Sequence, residues 1–347
     1  MNLRREVALV ISNWIASSAD VKDMVIESSV SLSRNFNDYL FVDKMKTEDA
    51  RNLVDTILCI LCSKDIDEEF TIIKLWECSD DRLKVLLDRN IITEKLLKRK
   101  EKSAVIINKS KTLSININEE DHIRIQCNVK ELSLIGIYEY ANKIDNYIEE
   151  DMTYSFSEEL GYLTSSISNV GTGLKATVIL HLPAISLSKE IPSVTKELNS
   201  AGMNVESFYR EGAEDKGNIY AISNQVTLGI GEEEIIKSLE KIVNYVADEE
   251  NKFRDAFSKK YKYELEDRVF RSYGILKNAK LLREKEMFDL LSYVRLGSEI
   301  SLLDLNKSEL DMLLTETRDS VIQNNYERKL NDTELNLVRA SIVKQVL

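Results

Sequence analysis

Residue types that would anchor a metal site or a disulfide framework are scarce in this chain of 347 residues. Four cysteines are too few to cross-link a protein of this length, and two histidines supply little imidazole for metal chemistry. Cys59 and Cys62 form a CxxC pair, but their apolar neighbours favour one apolar helix face over a zinc knuckle. The sequence therefore predicts neither a metal site nor a disulfide framework.

Positive charge is also in deficit, because 47 Lys and Arg face 59 Asp and Glu and leave a formal net charge of −12. This balance disfavours a nucleic-acid binder that works through a basic surface. No apolar run approaches the roughly 18 residues of a membrane span, and the N-terminus lacks the apolar core of a signal peptide. With 43% hydrophobic residues, the composition predicts a soluble, cytoplasmic protein that binds neither nucleic acid nor membrane.

Only two prolines punctuate the chain, so the spacing of apolar residues decides the predicted elements. Strands are predicted at 70–76, 104–107, 113–117, 123–129, 175–181, 205–209 and 218–226. Helices are predicted from a cap at Thr47 to about Cys62 and from about Leu132 to Glu149, and beyond Glu232 only helical periodicity remains. The sequence predicts an α+β fold, with an antiparallel sheet flanked by helices and then an all-helical C-terminal domain.

Two motifs between predicted strands carry little weight when each is taken alone. Residues 118–124 read Asn-Glu-Glu-Asp-His-Ile-Arg, which is typical of a solvated acidic loop but also of a site for a cation or guanidinium, with Arg124 placed for phosphate. Residues 168–175 contain Gly171 and Gly173 before a strand, but they match neither the Walker loop nor GxGxxG.

The order of the motifs is more specific than any one of them. The acidic motif at 118–124, Gly-Tyr-Leu-Thr-Ser at 161–165, Asn-Val-Gly-Thr-Gly-Leu at 169–174 and Ile-Ser-Asn at 222–224 follow one another as in ATP:guanido phosphotransferases. The chain resembles this family from about Met24 to its C-terminus. Residues 264–274 and 294–297 of the helical tail resemble the bacterial branch of McsB-type protein-arginine kinases.

The resemblance implies a division of the chain and a reaction. It implies a guanidino-kinase catalytic domain at 22–256 and a helical dimerisation domain at 257–347, while apolar residues at helical spacing between Arg5 and Ala16 predict an N-terminal helix at 1–21. The family transfers the γ-phosphoryl group of Mg-ATP to an arginine guanidinium, whose pKa above 12 makes it a poor nucleophile while charged. Carboxylates must therefore hold the guanidinium and accept its proton, and the motif match implies Glu120 and Glu211 for these roles.

The phosphate-binding positions of the family are largely replaced. The counterparts of the nucleotide-contacting residues are Ser29, Ser31, Asn90, Arg124, Lys175 and Glu206, and the counterpart of the reactive cysteine is Ser166. Five of these positions are arginine in the family pattern, and only Arg124 is unchanged here. Two neutral serines, one lysine and one glutamate leave a net charge of +1 where the family pattern has +5. This change argues against the binding of Mg-ATP.

A second phosphate-binding motif of the family is also incomplete in this chain. McsB-type kinases carry a C-terminal Arg-Asp-x-x-Arg-Ala motif that senses phosphoarginine, and its counterpart here begins at Leu335 and Asn336. Only the second arginine, Arg339, is present. The resemblance therefore implies a degenerate phosphoarginine-sensing motif.

Two functional hypotheses follow. The first is a McsB-type homologue with impaired transfer that acts as a regulatory module, as a homo- or heterodimer. The resemblance suggests arginine-containing proteins, a McsA-like activator, a heat-shock repressor or a Clp ATPase as its partners. The second is an active protein-arginine kinase with a remodelled ATP site, to which Arg34, Arg210 or Lys216 would contribute positive charge unless they are ordinary surface residues.

Overall fold

The computed structural model describes residues 21–64, 69–208, 210–211, 214–215 and 217–347, with the backbone alone at 210–211 and 214–215. The N-terminal helix predicted for residues 1–21 lies outside this part of the chain, apart from Val21, which begins the short helix α1 (Val21–Met24).

Eight antiparallel strands form the central sheet, in the order β2-β3-β4-β5-β1-β8-β12-β9. The strands of the described chain are β1 (Val25–Arg34), β2 (Phe70–Lys74), β3 (Ala104–Asn108), β4 (Leu113–Ile117), β5 (Ile123–Val129), β6 (Phe156–Ser157), β7 (Gly161–Tyr162), β8 (Leu174–His181), β9 (Met203–Ser207), β10 (Arg210–Glu211), β11 (Glu214–Asp215) and β12 (Ile219–Asn224). The prediction of an antiparallel sheet is confirmed. The sequence prediction missed β1, which lies at the centre of the sheet.

The helices flank the sheet and then continue alone to the C-terminus. They are α2 (Thr47–Ser63), α3 (Asp80–Asp88), α4 (Glu94–Lys98), α5 (Leu134–Glu149), α6 (Pro183–Leu187), α7 (Ile191–Ser200), α8 (Glu232–Lys260), α9 (Lys262–Asn278), α10 (Glu284–Glu299), α11 (Lys307–Glu316), α12 (Asp319–Gln323) and α13 (Asp332–Val346). The all-helical C-terminal region is confirmed, because the described chain forms no strand after Asn224. Helix α8 runs across residue 256, so the domain boundary there stays a prediction.

The two faces of the sheet differ in chemistry because side chains alternate along each strand. Val30 and Leu32 of β1 point to one face, where α2, α5 and α8 cover them with apolar side chains to form the main core. Ser29, Ser31 and Ser33 point to the other face. The serine-bearing part of the second face, called the polar face below, lacks the apolar cover of the main core and is therefore where a ligand can approach.

A second core and a buried ionic cluster join the C-terminal helices to the sheet. Ile179 of β8 and Ile219 of β12 pack in the second core with side chains of α9, α10 and α11. At the end of β8, His181 is fully buried and lies 2.9 Å from Glu299 and 2.8 Å from the hydroxyl of Ser292. Burial lowers the pKa of His181 well below its usual value, and the charge of Arg295 adds to this shift.

Two local predictions for α2 are wrong. Cys59 and Cys62 lie on the exposed side of the helix, not on its apolar face, because the buried positions follow Leu53, Ile57 and Ile60. Thr47 is the first residue of the helix, and Lys46 precedes it without a side-chain cap. Within the described ranges, no helix is both long and apolar enough to cross a bilayer.

Candidate functional site

A cavity of about 160 Å³ opens on the polar face of the sheet. It is lined by Ser31 and Ser33 of β1, Lys95 of α4, Glu119, Glu120 and Asp121, Arg124 of β5, Lys175 of β8, and Ser166, Ser168 and Asn169. The structure thus brings five of the predicted site residues together, namely Glu120, Arg124, Lys175, Ser31 and Ser166.

The register of the central strands brings the two cationic side chains beside β1. Ser33 of β1 is directly opposite Arg124 of β5, and Ser31 is opposite Lys175 of β8. Directly opposed residues in antiparallel strands point to the same face. Arg124 and Lys175 therefore flank a row of serines, and at two of these, Ser29 and Ser31, the family pattern has arginines.

The acidic motif forms a tight turn whose buried members hold the local fold. Asn118 adopts a positive φ of 59°, which asparagine tolerates better than most residues. Burial raises the pKa of Asp121, which accepts hydrogen bonds from the Asn35 side chain at 2.7 Å and the Ser165 backbone N–H at 2.6 Å. Asp121 therefore connects β1 to the loop that follows β7.

His122 is part of the same support and does not reach the cavity. Its Nδ1 accepts a hydrogen bond from the Phe36 backbone N–H at 2.9 Å, so Nε2 carries the proton and donates it to the Leu40 carbonyl at 2.9 Å. Burial lowers the pKa of His122. The histidine is therefore a neutral structural side chain.

Two of the three cations in the cavity are already paired with carboxylates of the acidic motif. The Lys95 ammonium lies 2.6 Å from Glu120, and Arg124 lies 3.5 Å from Glu119. Lys175 is exposed, yet the surrounding protein still desolvates its ammonium and lowers its pKa, with Arg124 adding to the shift and Glu206 opposing it. Three basic and three acidic side chains leave the described lining with no formal net charge.

Four of the residues predicted for catalysis and nucleotide binding lie outside the cavity lining. Ser29 is on the polar face two residues before Ser31, and Glu206 is exposed on the edge strand β9, opposite Ala221. Asn90 is exposed after α3 in a left-handed conformation with φ of 54°. The backbone of Glu211 belongs to β10, but its side chain is outside the described part of the protein, so its predicted role stays a prediction.

The loop from Thr164 to Gly173 carries Ser166 and depends on its glycines. The Ser166 hydroxyl lies 2.8 Å from that of Ser168, in the place where the family pattern has a reactive cysteine. A Cβ atom at Gly171, which has a φ of 114°, would lie 2.1 Å from the Thr227 carbonyl oxygen. Only glycine allows this close approach of the two backbones.

Arg34 is neither an ordinary surface charge nor directed at the cavity. The side chain is 2% exposed and pairs with Asp145 through Nε at 3.1 Å and Nη2 at 2.8 Å. Its guanidinium also lies 3.5 Å from the ring centre of Tyr162. Arg34 therefore cannot replace a phosphate-binding arginine without breaking a buried ion pair. Lys216 and the side chain of Arg210 lie outside the described residues.

The degenerate C-terminal motif lines a separate open hollow of about 990 Å³ with Leu335, Asn336 and Arg339. Arg339 is fully buried and donates to the carbonyls of Thr317 at 2.7 Å and Leu282 at 2.9 Å. It also donates to the Asn336 side chain at 2.8 Å and pairs with Asp319. The guanidinium is thus engaged by the fold itself, which leaves it poorly placed to bind a phosphoryl group.

Lys95 is the cationic residue of the lining that sequence reasoning missed. It lies on α4, outside every family motif. Hydrogen bonds from both ends of this helix to Glu119 hold α4 beside the cavity: Thr93 donates to the Glu119 side chain, and Arg99 donates to the Glu119 carbonyl. Only the tertiary structure reveals this contact, because 25 positions separate Lys95 from Glu120.

Two family models together match most of the chain. The model for the ATP:guanido phosphotransferase C-terminal catalytic domain matches residues 49–253, and that for the protein-arginine kinase McsB C-terminal domain matches residues 262–347. A solved lombricine kinase is similar over 69% of this chain and 70% of its own, with a TM-score of 0.60 and 21% identity. A taurocyamine kinase from Schistosoma mansoni is similar over 67% of this chain and 35% of its own, with a TM-score of 0.59 and 22% identity. The catalytic part thus has the guanidino-kinase fold.

Two curated relatives indicate one branch of this family. A protein-arginine kinase of Clostridium botulinum is 44% identical over 337 residues, covering 97% of this chain and 99% of the relative. One of Bacillus mycoides is 35% identical over 350 residues, covering 100% of this chain and 99% of the relative. The chain belongs to the ATP:guanido phosphotransferase family, in its McsB-type protein-arginine kinase branch.

Mg-ATP does not fit the described lining. A triphosphate needs a surplus of positive charge, but the acidic and basic side chains of the lining balance. The volume of about 160 Å³ is also below the roughly 300–1,000 Å³ of typical ligand pockets. Among the described residues, no cluster of three or more His, Cys, Asp or Glu side chains is arranged to hold a metal ion.

Proposed function

We propose that this chain is a protein-arginine kinase homologue that has lost most or all phosphoryl transfer and acts as a regulatory or binding module. The observation that carries the proposal is the charge balance of the cavity, whose three cations face three carboxylates. A charge-assisted contact contributes roughly 1.5–3 kcal/mol, and loss of one preorganised donor costs on the order of 10²–10³ in rate. The replacement of four arginines is therefore a sufficient cause of impaired transfer.

The ion pairs within the cavity further reduce the positive charge that is available to a phosphate. Arg124 must break or weaken its ion pair with Glu119 before it can contact a phosphate. Glu119 is buried, so its negative charge stays beside the ligand. Lys175 is a point charge that lacks the bidentate fork of arginine. Glu206 is close enough to Lys175 to affect its pKa, so it would repel a nearby triphosphate.

The competing function is an active protein-arginine kinase with a remodelled ATP site. Lys95 favours it, because this lysine adds a cation to the cavity that the family motifs do not include. In that case Glu120 and Glu211 would hold the arginine and accept its proton, and replacement of Lys95 would lower transfer.

A direct assay separates the two functions. The purified protein is incubated with Mg-ATP and an arginine-rich protein, and acid-labile phosphoarginine is measured by mass spectrometry. We expect no transfer above that of a Glu120→Ala variant. Transfer that disappears in Glu120→Ala and falls in Lys95→Ala would establish the active kinase instead.

A repair variant tests the cause of the impairment. Ser29→Arg, Ser31→Arg, Lys175→Arg and Glu206→Arg together should restore a thermal shift at millimolar Mg-ATP, since a ligand that binds only the folded state raises its stability. The matched control is Glu190→Arg, Ser193→Arg, Lys196→Arg and Ser200→Arg, which adds the same charge on or beside α7. Equal shifts in both variants would show a general charge effect and contradict the proposal.

The partners of such a module follow from the family. We propose an arginine-containing protein as its ligand, in a cytoplasmic protein quality-control setting with a McsA-like activator, a heat-shock repressor or a Clp ATPase. We also propose that residues 257–347 form a homo- or heterodimer. Co-purification of the tagged chain with these proteins, followed by light scattering of the complex, tests both points, and a lone monomer would contradict them.

A further inference from the structure

The ion pair between Lys95 and Glu120 lies in the cavity of the polar face and is open to solvent. The Lys95 ammonium donates to the Glu120 carboxylate at 2.6 Å, and both side chains belong to the cavity lining. The side chain of Lys95 is 58% exposed and that of Glu120 is 33% exposed. A ligand from solution can therefore reach this carboxylate, and the lysine side chain can move into solvent.

The other two carboxylates of the lining are held by the fold. Glu119 is buried and pairs with Arg124. Asp121 is also buried and accepts a hydrogen bond from the Asn35 side chain at 2.7 Å. Removing the partner of a buried charge lowers the stability of a protein. Glu120 is therefore the carboxylate of this cavity that can exchange its partner for a ligand.

Helix α4 places Lys95 beside Glu120 by contacts of its own. Thr93 precedes the helix and Arg99 follows it, and both donate to Glu119, the residue before Glu120. Leu96, next to Lys95, is buried in a small apolar core. The contact between the lysine and the carboxylate is thus built into the fold.

A guanidinium is a better partner for a carboxylate than an ammonium is. It presents two parallel N–H donors in one plane, and the two carboxylate oxygens accept both at once. An ammonium is a compact and strongly hydrated point charge. An arginine side chain can therefore displace Lys95 from Glu120, whereas a lysine side chain of a ligand offers the carboxylate nothing that Lys95 does not already offer.

The charges of the cavity permit this exchange. When a guanidinium replaces the ammonium at Glu120, one positive charge takes the place of another, and the cavity keeps its balance of positive and negative charge. The displaced Lys95 becomes hydrated, since it is already exposed. An exposed ion pair is weak, so we expect competition by Lys95 to lower the affinity for arginine by a factor of roughly two to five.

We propose that Lys95 is an internal competitor of the ligand's arginine, which occupies Glu120 in the free protein and selects a guanidinium over an ammonium. This inference rests on the arginine-containing ligand proposed above, and it names the residue that sets the affinity and selectivity for that ligand. Arginine pairs with Glu120 only by displacing Lys95, so the native chain binds arginine less tightly than a chain without this lysine.

N-acetyl-arginine amide and N-acetyl-lysine amide are suitable probes, because each carries only its side-chain charge. NMR titration of the full chain at physiological ionic strength should show tighter binding of the arginine probe than of the lysine probe. Lys95→Ala should bind the arginine probe about two- to fivefold more tightly than the native chain does. Lys95→Arg keeps the charge but should bind it roughly twofold more weakly, because the new guanidinium holds Glu120 through two hydrogen bonds.

Lys98 provides the matched controls, because it is exposed on the same helix and is not part of the cavity lining. Lys98→Ala and Lys98→Arg should leave the affinity for the arginine probe unchanged. An equal gain in Lys95→Ala and Lys98→Ala would show a general charge effect and overturn the proposal.

Glu120→Gln separates the failure of this inference from the failure of the proposed function, and it should abolish binding of the arginine probe. If the probe binds neither the native chain nor Lys95→Ala, the arginine ligand is wrong and the competitor role with it. If the native chain binds the probe through Glu120 but neither substitution of Lys95 changes the affinity, the competitor role alone is wrong. Binding that survives Glu120→Gln would place the arginine elsewhere and also overturn the inference.

Discussion

Replacing Arg34 tests whether this arginine serves the fold or the phosphate site. In Arg34→Met, Asp145 would keep the hydrogen bond from the Tyr154 hydroxyl at 2.9 Å but lose its ion pair with Arg34, in which both side chains are 2% exposed. The carbonyls of Ser33 and Thr172, now 2.9 and 3.0 Å from Nη1, would lose a donor as well. Removing one partner of a buried ion pair costs about 3–5 kcal/mol, so we expect a loss of this size.

Urea denaturation followed by circular dichroism measures the loss as a lower midpoint. Arg82→Met is the control, because Arg82 is an exposed arginine of α3. Arg34→Met combined with Asp145→Met should regain part of the lost stability, because no buried charge is then left unpaired. A midpoint equal to that of Arg82→Met, together with a lost Mg-ATP shift, would refute a structural role and support the remodelled ATP site.

Two further substitutions test buried charges elsewhere. Burial raises the pKa of Glu27 to about 7, although Lys130 opposes the shift, so the charged carboxylate lowers stability as the pH rises from about 4.5 to 7. Glu27→Gln should therefore be more stable than the native protein at pH 8, by on the order of 3 kcal/mol, and equally stable near pH 4. A difference in denaturation midpoint that stays constant across this pH range would contradict the raised pKa of Glu27. Arg339→Met should lose about 3 kcal/mol of stability because two buried carbonyls lose their donor, while free phosphoarginine should not raise the melting temperature of the native protein.

The parts of the fold that were predictable are those with strong local periodicity. The hairpin of β3 and β4, strand β8 and the helical tail follow directly from apolar spacing. Strand β1 was not predicted because positions 28, 29, 31 and 33 are serines, which favour a strand less than β-branched residues do. Its place at the centre of the sheet depends on pairing with β5 and β8, which lie about 100 and 150 positions away.

The site was predictable only where motif and cavity coincide. The family motifs correctly brought Glu120, Arg124 and Lys175 to one place. They could not reveal that Arg34 is buried, because its partner Asp145 is 111 positions away. The local sequence specifies which charged side chains are present. The packing of distant elements decides which of them remain free to contact a ligand.

An intact acidic motif is weak support for catalysis in this chain, because most of its members have a structural task. Asp121 joins β1 to the loop at Ser165, His122 holds the backbone of Phe36 and Leu40, and buried Glu119 accepts a hydrogen bond from Thr93. Loss of any of these would damage the fold whether or not phosphate is transferred. Glu120 differs, because its side chain is partly exposed in the cavity and its ion-pair partner Lys95 is exposed as well. An exposed ion pair contributes only about 0–1 kcal/mol, so the effect of Glu120→Ala reports on function with little disturbance of stability.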